Sequence, residues 1–121
     1  MANTFKVVTF AAEPASAGTP YVMYTVASST TAVVLGFVLS NINTTAVTAE
    51  VELVSTTSSR GGVNNVANGT SFLIKDVNIP TGSSLEILSG GKVVLEAGDK
   101  IQIDCSVADK LSGTLSIMEI T

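Results

Sequence analysis

Val47-Thr48-Ala49-Glu50-Val51-Glu52-Leu53 and Lys100-Ile101-Gln102-Ile103-Asp104-Cys105-Ser106-Val107 decide the fold. In each, apolar side chains occupy one phase of a strict alternation and polar or charged ones the other. Period two is the signature of a pleated strand with one face buried and one in water. Strands of that kind belong to antiparallel sheets, which tolerate a solvated face.

The same alternation extends outward from these two segments. Further strands are predicted near Thr4–Phe10, Tyr21–Ala27, Val33–Leu39, Phe72–Asn78, Ser84–Leu88, Lys92–Glu96 and Thr114–Ile120. Pro14, Gly18 and Pro20 separate the first two. Pro80-Thr81-Gly82-Ser83 suits a tight turn, and Gly90-Gly91 and Ala97-Gly98-Asp99 have hairpin-loop composition. Valine, isoleucine and threonine fill 39 of 121 positions, and β-branching favours sheet over helix. No apolar stripe at helical spacing persists. The expectation is an all-β chain: a single antiparallel β-sandwich, Ig-like or jelly-roll-like, of about seven to nine strands. Its core is expected around Leu35, Phe37, Val51, Leu53, Leu85, Ile87, Ile101, Ile103, Leu115 and Ile117. One domain spans 1–121, with a flexible Ser/Gly-rich loop at about 56–70, where small polar residues interrupt the pattern.

Composition narrows the functional classes. There is no histidine, the usual general base and metal ligand near neutral pH, and only one cysteine, Cys105. Neither an internal disulfide nor a thiolate metal site can be built from one thiol. The net charge is −4, and Lys6, Arg60, Lys75, Lys92, Lys100 and Lys110 are scattered singly, so no phosphate-binding cluster forms and no nucleic-acid partner is expected. The apolar stretch Thr31–Leu39 is less than half the ~20 residues of a spanning helix, so no membrane role is expected. The opening Met-Ala-Asn-Thr-Phe-Lys does not read as a secretory signal. Synthesis in a reducing cytoplasm fits a free Cys105 at an inward strand position.

Candidate chemical groups have plain structural readings. Glu50 and Glu52 alternate with apolar residues and read as a solvated strand face. Glu96-Ala97-Gly98-Asp99 reads as a hairpin turn with a solvated Asp, because it lacks the repeated ligands of a calcium loop. Paired serines have no base to activate them, and Cys105 reads as a small buried hydrophobe. No catalytic, cofactor-binding or metal-binding residue is assigned, and the chain is read as no enzyme. Tyr24 is expected in the core and Tyr21 on the opposite strand face at the rim.

Charged residues make up 13% of the chain and hydrophobic ones 45%, a surface poorly protected against association. Val33-Val34-Leu35-Gly36-Phe37-Val38-Leu39 is apolar in both phases. It is either a doubly covered strand or one whose outer face meets a partner. Val34, Val38 and Tyr21 are the candidate interface residues, with one of the two valines facing outward.

The run Ile79-Pro80-Thr81-Gly82-Ser83-Ser84-Leu85-Glu86-Ile87-Leu88-Ser89-Gly90-Gly91-Lys92-Val93-Val94-Leu95-Glu96-Ala97-Gly98-Asp99-Lys100-Ile101-Gln102 resembles a family of short virion structural proteins of tailed marine phages, cyanophages especially. The likeness takes in Tyr24-Thr25-Val26 with the apolar strand that follows, Ser40-Asn41-Ile42 and the closing Ser116-Ile117-Met118-Glu119-Ile120; with the N-terminal strand it covers about four-fifths of the chain. It implies a non-enzymatic accessory subunit of the virion (head decoration, neck or tail component), homo-oligomeric or lattice-bound, whose partners are other virion proteins. A receptor- or glycan-binding adhesin domain of a tail fibre is the alternative.

Overall fold

The computed structural model describes residues 2–55, 69–88 and 90–121. Within them lie nine strands: β1 (Asn3–Glu13), β2 (Tyr21–Thr25), β3 (Thr31–Asn41), β4 (Val47–Val54), β5 (Thr70–Ile79), β6 (Ser84–Glu86), β7 (Val93–Leu95), β8 (Lys100–Cys105) and β9 (Leu111–Ile120). Every predicted strand is present, and the expected β-sandwich is the fold.

The pairing follows one rule. β1 pairs with β9, β2 with β8, β3 with β6 and β7, and β4 with β5, all antiparallel. The chain is therefore a long hairpin whose second arm retraces the first. Rolling that hairpin adds the β3·β9 and β4·β8 ladders. One sheet runs β1-β9-β3-β6, with β7 also on β3; the other runs β2-β8-β4-β5. This is jelly-roll order, and it decides between the two topologies that alternation alone leaves open.

The facing sides of the two sheets make the core. Phe37, Leu39, Leu95, Leu111, Leu115 and Ile117 come from the five-stranded sheet, and Val47, Val51, Ile79, Ile101 and Ile103 from the four-stranded one, each with almost no exposed surface. Burying a side chain of this size contributes about 1.5–3 kcal/mol, so these rows hold the sheets together. Leu53, Leu85 and Ile87 pack against the cluster while partly buried. At one end Gly113 lies opposite Phe10 in the β1·β9 ladder. A Cβ on Gly113 would run into the Phe10 ring and lie 3.2 Å from Leu39. The missing side chain is what makes room for that ring.

Four expectations need correction or placing. Leu35 is not core: it is 39% exposed. The β3·β9 register shifts between Val34 and Gly36, so Leu35 is the extra residue of a bulge, and the strand changes phase across it. Asp99 is not solvated but fully buried. Its carboxylate accepts from the Glu96 amide at 3.0 Å, and its carbonyl accepts from Val26 N at 2.9 Å, so it clamps the β7–β8 turn onto the end of β2. Pro80–Ser83 is the expected turn, with Gly82 at φ 70° and Ser83 N donating to Pro80 O at 3.2 Å. Of the loop expected at about 56–70, residues 56–68 lie outside the described residues; Gly69 O accepts from Ser55 N at 2.8 Å and Thr70 opens β5.

Two polar clusters join the sheets. Asn41, at the end of β3, is 5% exposed. Its Nδ2 donates to Ile79 O at 2.9 Å and Thr45 O at 3.0 Å, and its Oδ1 accepts from Asn43 N at 2.8 Å. A buried amide whose two N–H donors both reach carbonyls and whose oxygen accepts a backbone N–H stabilises the corner it sits in. On β9, Glu119 accepts from Tyr24 Oη of the other sheet at 2.6 Å and pairs with Lys6 of β1 at 2.7 Å. The Lys6 hydrogen bond, then that of Tyr24, holds the Glu119 carboxyl below its ordinary range, while burial and the Glu119 hydrogen bond push the Tyr24 phenol upward.

Candidate interaction surface

The outer side of the five-stranded sheet is where exposed apolar residues gather. Its rows follow from the registers. Phe5 is opposite Met118, Met118 opposite Val33, and Val33 opposite Val94. Their neighbours along each strand point into the core or to the inter-sheet Glu119 cluster, so these four face outward, side by side on β1, β9, β3 and β7. Phe5 is 71% exposed and Val94 58%, whereas Met118 and Val33 are half-buried by their neighbours. The next row brings Val7, 62% exposed, against Ser116 and Gly36, with bulged Leu35 beside them.

Beyond that row the chemistry changes. Thr9, Thr114 and Val38 form the following line, ending at Glu86 of β6; Ser112, Ser40 and Ser84 form the one after. The face is thus an apolar band grading into hydroxyls. Glu86 is the one charged side chain in those rows among the described residues.

The candidate interface residues divide. Val38 is exposed on this face beside Glu86. Val34 is 1% exposed and belongs to the core. The bulge at Leu35 puts the two on opposite sides, although an even spacing of four would put them on the same one. Tyr21 is half-buried, its ring meeting that of Phe10 edge-on with centroids 5.4 Å apart. It does not sit opposite Tyr24 either. A register shift between Val22 and Tyr24 sets Tyr21 beside Ile103 and Tyr24 beside Ile101, so both tyrosines lie on the core side.

Phe5, Val7 and Val94 were not singled out by sequence. The available signal was Val93-Val94-Leu95, three apolar residues in succession, and Phe5 and Val7 in the phase opposite to Val8 and Phe10. An apolar residue in the second phase of a half-buried strand has to emerge somewhere.

The outer side of the other sheet is different. Glu50 takes the Lys75 ammonium at 3.1 Å, Glu52 accepts from Gln102 at 2.8 Å, and Lys75 lies 4.6 Å above the Phe72 ring centre. An open cleft of about 370 Å³ there is lined by Gly18, Thr48, Glu50, Asp76, Asp104 and Ser106 among others. Its carboxylates are engaged: Asp104 Oδ1 accepts from Gly18 N and Cys105 N at 3.1 and 2.8 Å. Among the described residues no group of three or more His, Cys, Asp or Glu could hold a metal ion. Cys105 is free and buried, and burial raises its thiol pKa.

The chain matches no protein-family model and no curated protein. Among solved structures it is similar to a chain of the Bacillus endospore appendages, described as a novel family of disulfide-linked pili. That likeness covers 99% of this chain and 87% of the other, at 20% identity and a TM-score of 0.48.

Proposed function

We propose that the protein is a non-enzymatic structural subunit of a tailed-phage virion, an accessory part of head, neck or tail that binds other virion proteins through the outer face of its five-stranded sheet. The observation that carries the binding half is the apolar row Phe5–Met118–Val33–Val94 on a face almost without charge. Apolar surface of that kind gains free energy on leaving water, and contiguous patches of it mark interaction sites. The virion half rests on the resemblance of the Ile79–Gln102 run and the flanking strands. A compact fold with well-filled facing sheets suits a part that must survive outside a cell.

Quantitative mass spectrometry of purified particles tests the proposal. Stoichiometric copies are expected, hundreds per particle for head decoration and a single ring's worth for neck or tail. Particles that lack the protein would sink it, as would the free protein binding host-surface sugars with no association to any virion component.

A further inference from the structure

The sandwich has four sheet edges, and three are blunted against further pairing. β6 and β7 are three residues each, and β2 is five residues with a register break. β5 is longer, but its ladder is broken twice near Glu50, with Lys75 and positive-φ Asp76 at the break. Short strands, bulges and edge charges are the ordinary protections of an exposed edge. β1 is the least protected of the four. It runs eleven residues, its ladder is regular from Asn3 to Phe10, and Lys6 is the one charge in that stretch. Among the described residues no strand pairs with its other side.

The phase of that free side can be read. Ala2 and Thr121 exchange both backbone bonds, at 3.1 and 2.9 Å. Antiparallel ladders alternate bonded and non-bonded pairs, so Thr4, Lys6, Val8 and Phe10 bond to β9. Asn3, Phe5, Val7 and Thr9 then turn their N–H and C=O groups to the open edge. These are the residues whose side chains lie on the outer face, Phe5 and Val7 foremost.

We propose that β1 pairs antiparallel with β1 of a second copy of this chain, about a two-fold axis at Val7. The required partner is an unblunted strand edge, and the other three edges of this molecule are unsuited, which selects β1 itself and a closed dimer over a head-to-tail chain. Near-full overlap of the regular stretch places the axis at Lys6 or at Val7. An axis at Lys6 would set two like charges directly opposite. At Val7, the two Val7 residues exchange both backbone bonds, Phe5 faces Thr9 of the second copy, and Lys6 faces Val8 and keeps its own Glu119. The five-stranded sheet then continues across both copies, and Phe5 and Val7 of each collect around the axis. The inference does not depend on the virion reading, since it concerns the edge and not the face.

Sedimentation equilibrium of the purified chain, wild type against Val7→Pro, tests it. Proline at Val7 removes only an N–H that points away from β9 and is tolerated on an edge strand, so circular dichroism should stay that of the folded chain. Val8→Pro, in the bonded phase, should unfold it. Wild type should show concentration-dependent dimers, and Val7→Pro should weaken them at least about thirtyfold, because both bonds at the axis vanish together. Val7→Lys, which opposes two ammonium groups there, should do the same, and Val94→Glu should leave the dimer intact. A wild type that stays monomeric at every attainable concentration overturns the proposal. So do Val7→Pro and Val7→Lys chains that dimerise like wild type, and a Val7→Pro chain that cannot fold, since that would disprove the edge phase.

Discussion

Crossing the outer face of one sheet from β1 to β7, the side chains met in turn are Phe5, Met118, Val33 and Val94. The matching row of the other sheet, from β2 to β5, reads Val22, Gln102, Glu52 and Phe72. Both rows end in exposed apolar residues, so exposure by itself does not distinguish them. What differs is the middle. Gln102 and Glu52 bond to each other, and Phe72 carries the Lys75 ammonium over its ring, so the polar groups of that row engage one another. The middle of the first row is Met118 and Val33, with nothing polar to engage. Among the described residues, Glu50, Glu52, Lys75, Asp76 and Asp104 gather on the outer side of the four-stranded sheet, while the rows of the other outer face carry Glu86 alone.

The largest effect expected bears on which side chains form each face. Val34→Asp should unfold the domain or cost upwards of about 4 kcal/mol in urea denaturation, because a lone carboxylate would enter the core. Val38→Asp, four residues on, should cost about 1 kcal/mol or less, from repulsion by Glu86 across the strand pair. Equal losses at the two sites would erase the bulge at Leu35 and with it the composition of the apolar face.

Next in size is the joint that keeps the two faces on one rigid body. Asn41→Ala should lower unfolding free energy by about 2 kcal/mol, since the hydrogen bonds of its side chain to Ile79 O, Thr45 O and Asn43 N are all lost in a buried corner. A neutral result would mean that the corner where β3 and β5 meet is open to water.

The smallest effect concerns the second joint, Tyr24–Glu119–Lys6, and appears in the pH dependence of stability. Glu119 titrates lower in the folded chain than in the unfolded one. Its contribution is present above the unfolded carboxyl pKa of about 4.3 and is lost as pH falls through the acid range. Tyr24 is shifted the opposite way, so its contribution is present below the unfolded phenol pKa of about 10 and is lost as pH rises beyond it. Thermal melts across pH should show Glu119→Gln flattening the acid limb and Tyr24→Phe the alkaline one. Unchanged limbs would mean that the inter-sheet hydrogen bond is absent in solution.

How far the sequence could be read follows the same division. Strands such as β4 and β8, with polar residues in the outward phase, declare both their element and their inward side, and Val51, Ile101 and Ile103 are where alternation puts them. β3 could be placed but not phased. From Ala32 to Leu39 no polar side chain marks an outward position, so a one-residue bulge at Leu35 could switch the inward phase from Ala32 and Val34 to Phe37 and Leu39 without a trace in the pattern. The bulge near Met23 misled in the same way over Tyr21 and Tyr24. Asp99 was read as solvated because a turn aspartate usually is, and nothing local reports that β2 ends against it. The apolar face itself depends on registers between residues more than a hundred positions apart, as for Phe5 and Met118, which alternation within a strand cannot supply.

The most direct test makes one substitution on each outer face. Val94→Glu and Val22→Glu both put a carboxylate on an exposed strand valine, and both should leave the fold intact. With each variant supplied as the sole copy during particle assembly, the copies per purified particle would be counted by mass spectrometry. Val22→Glu should be incorporated at the wild-type level and Val94→Glu reduced at least about tenfold, the loss expected when a charge is buried at an interface. Wild-type incorporation of Val94→Glu, or equal loss of both variants, would contradict the assignment of the apolar face as the binding surface.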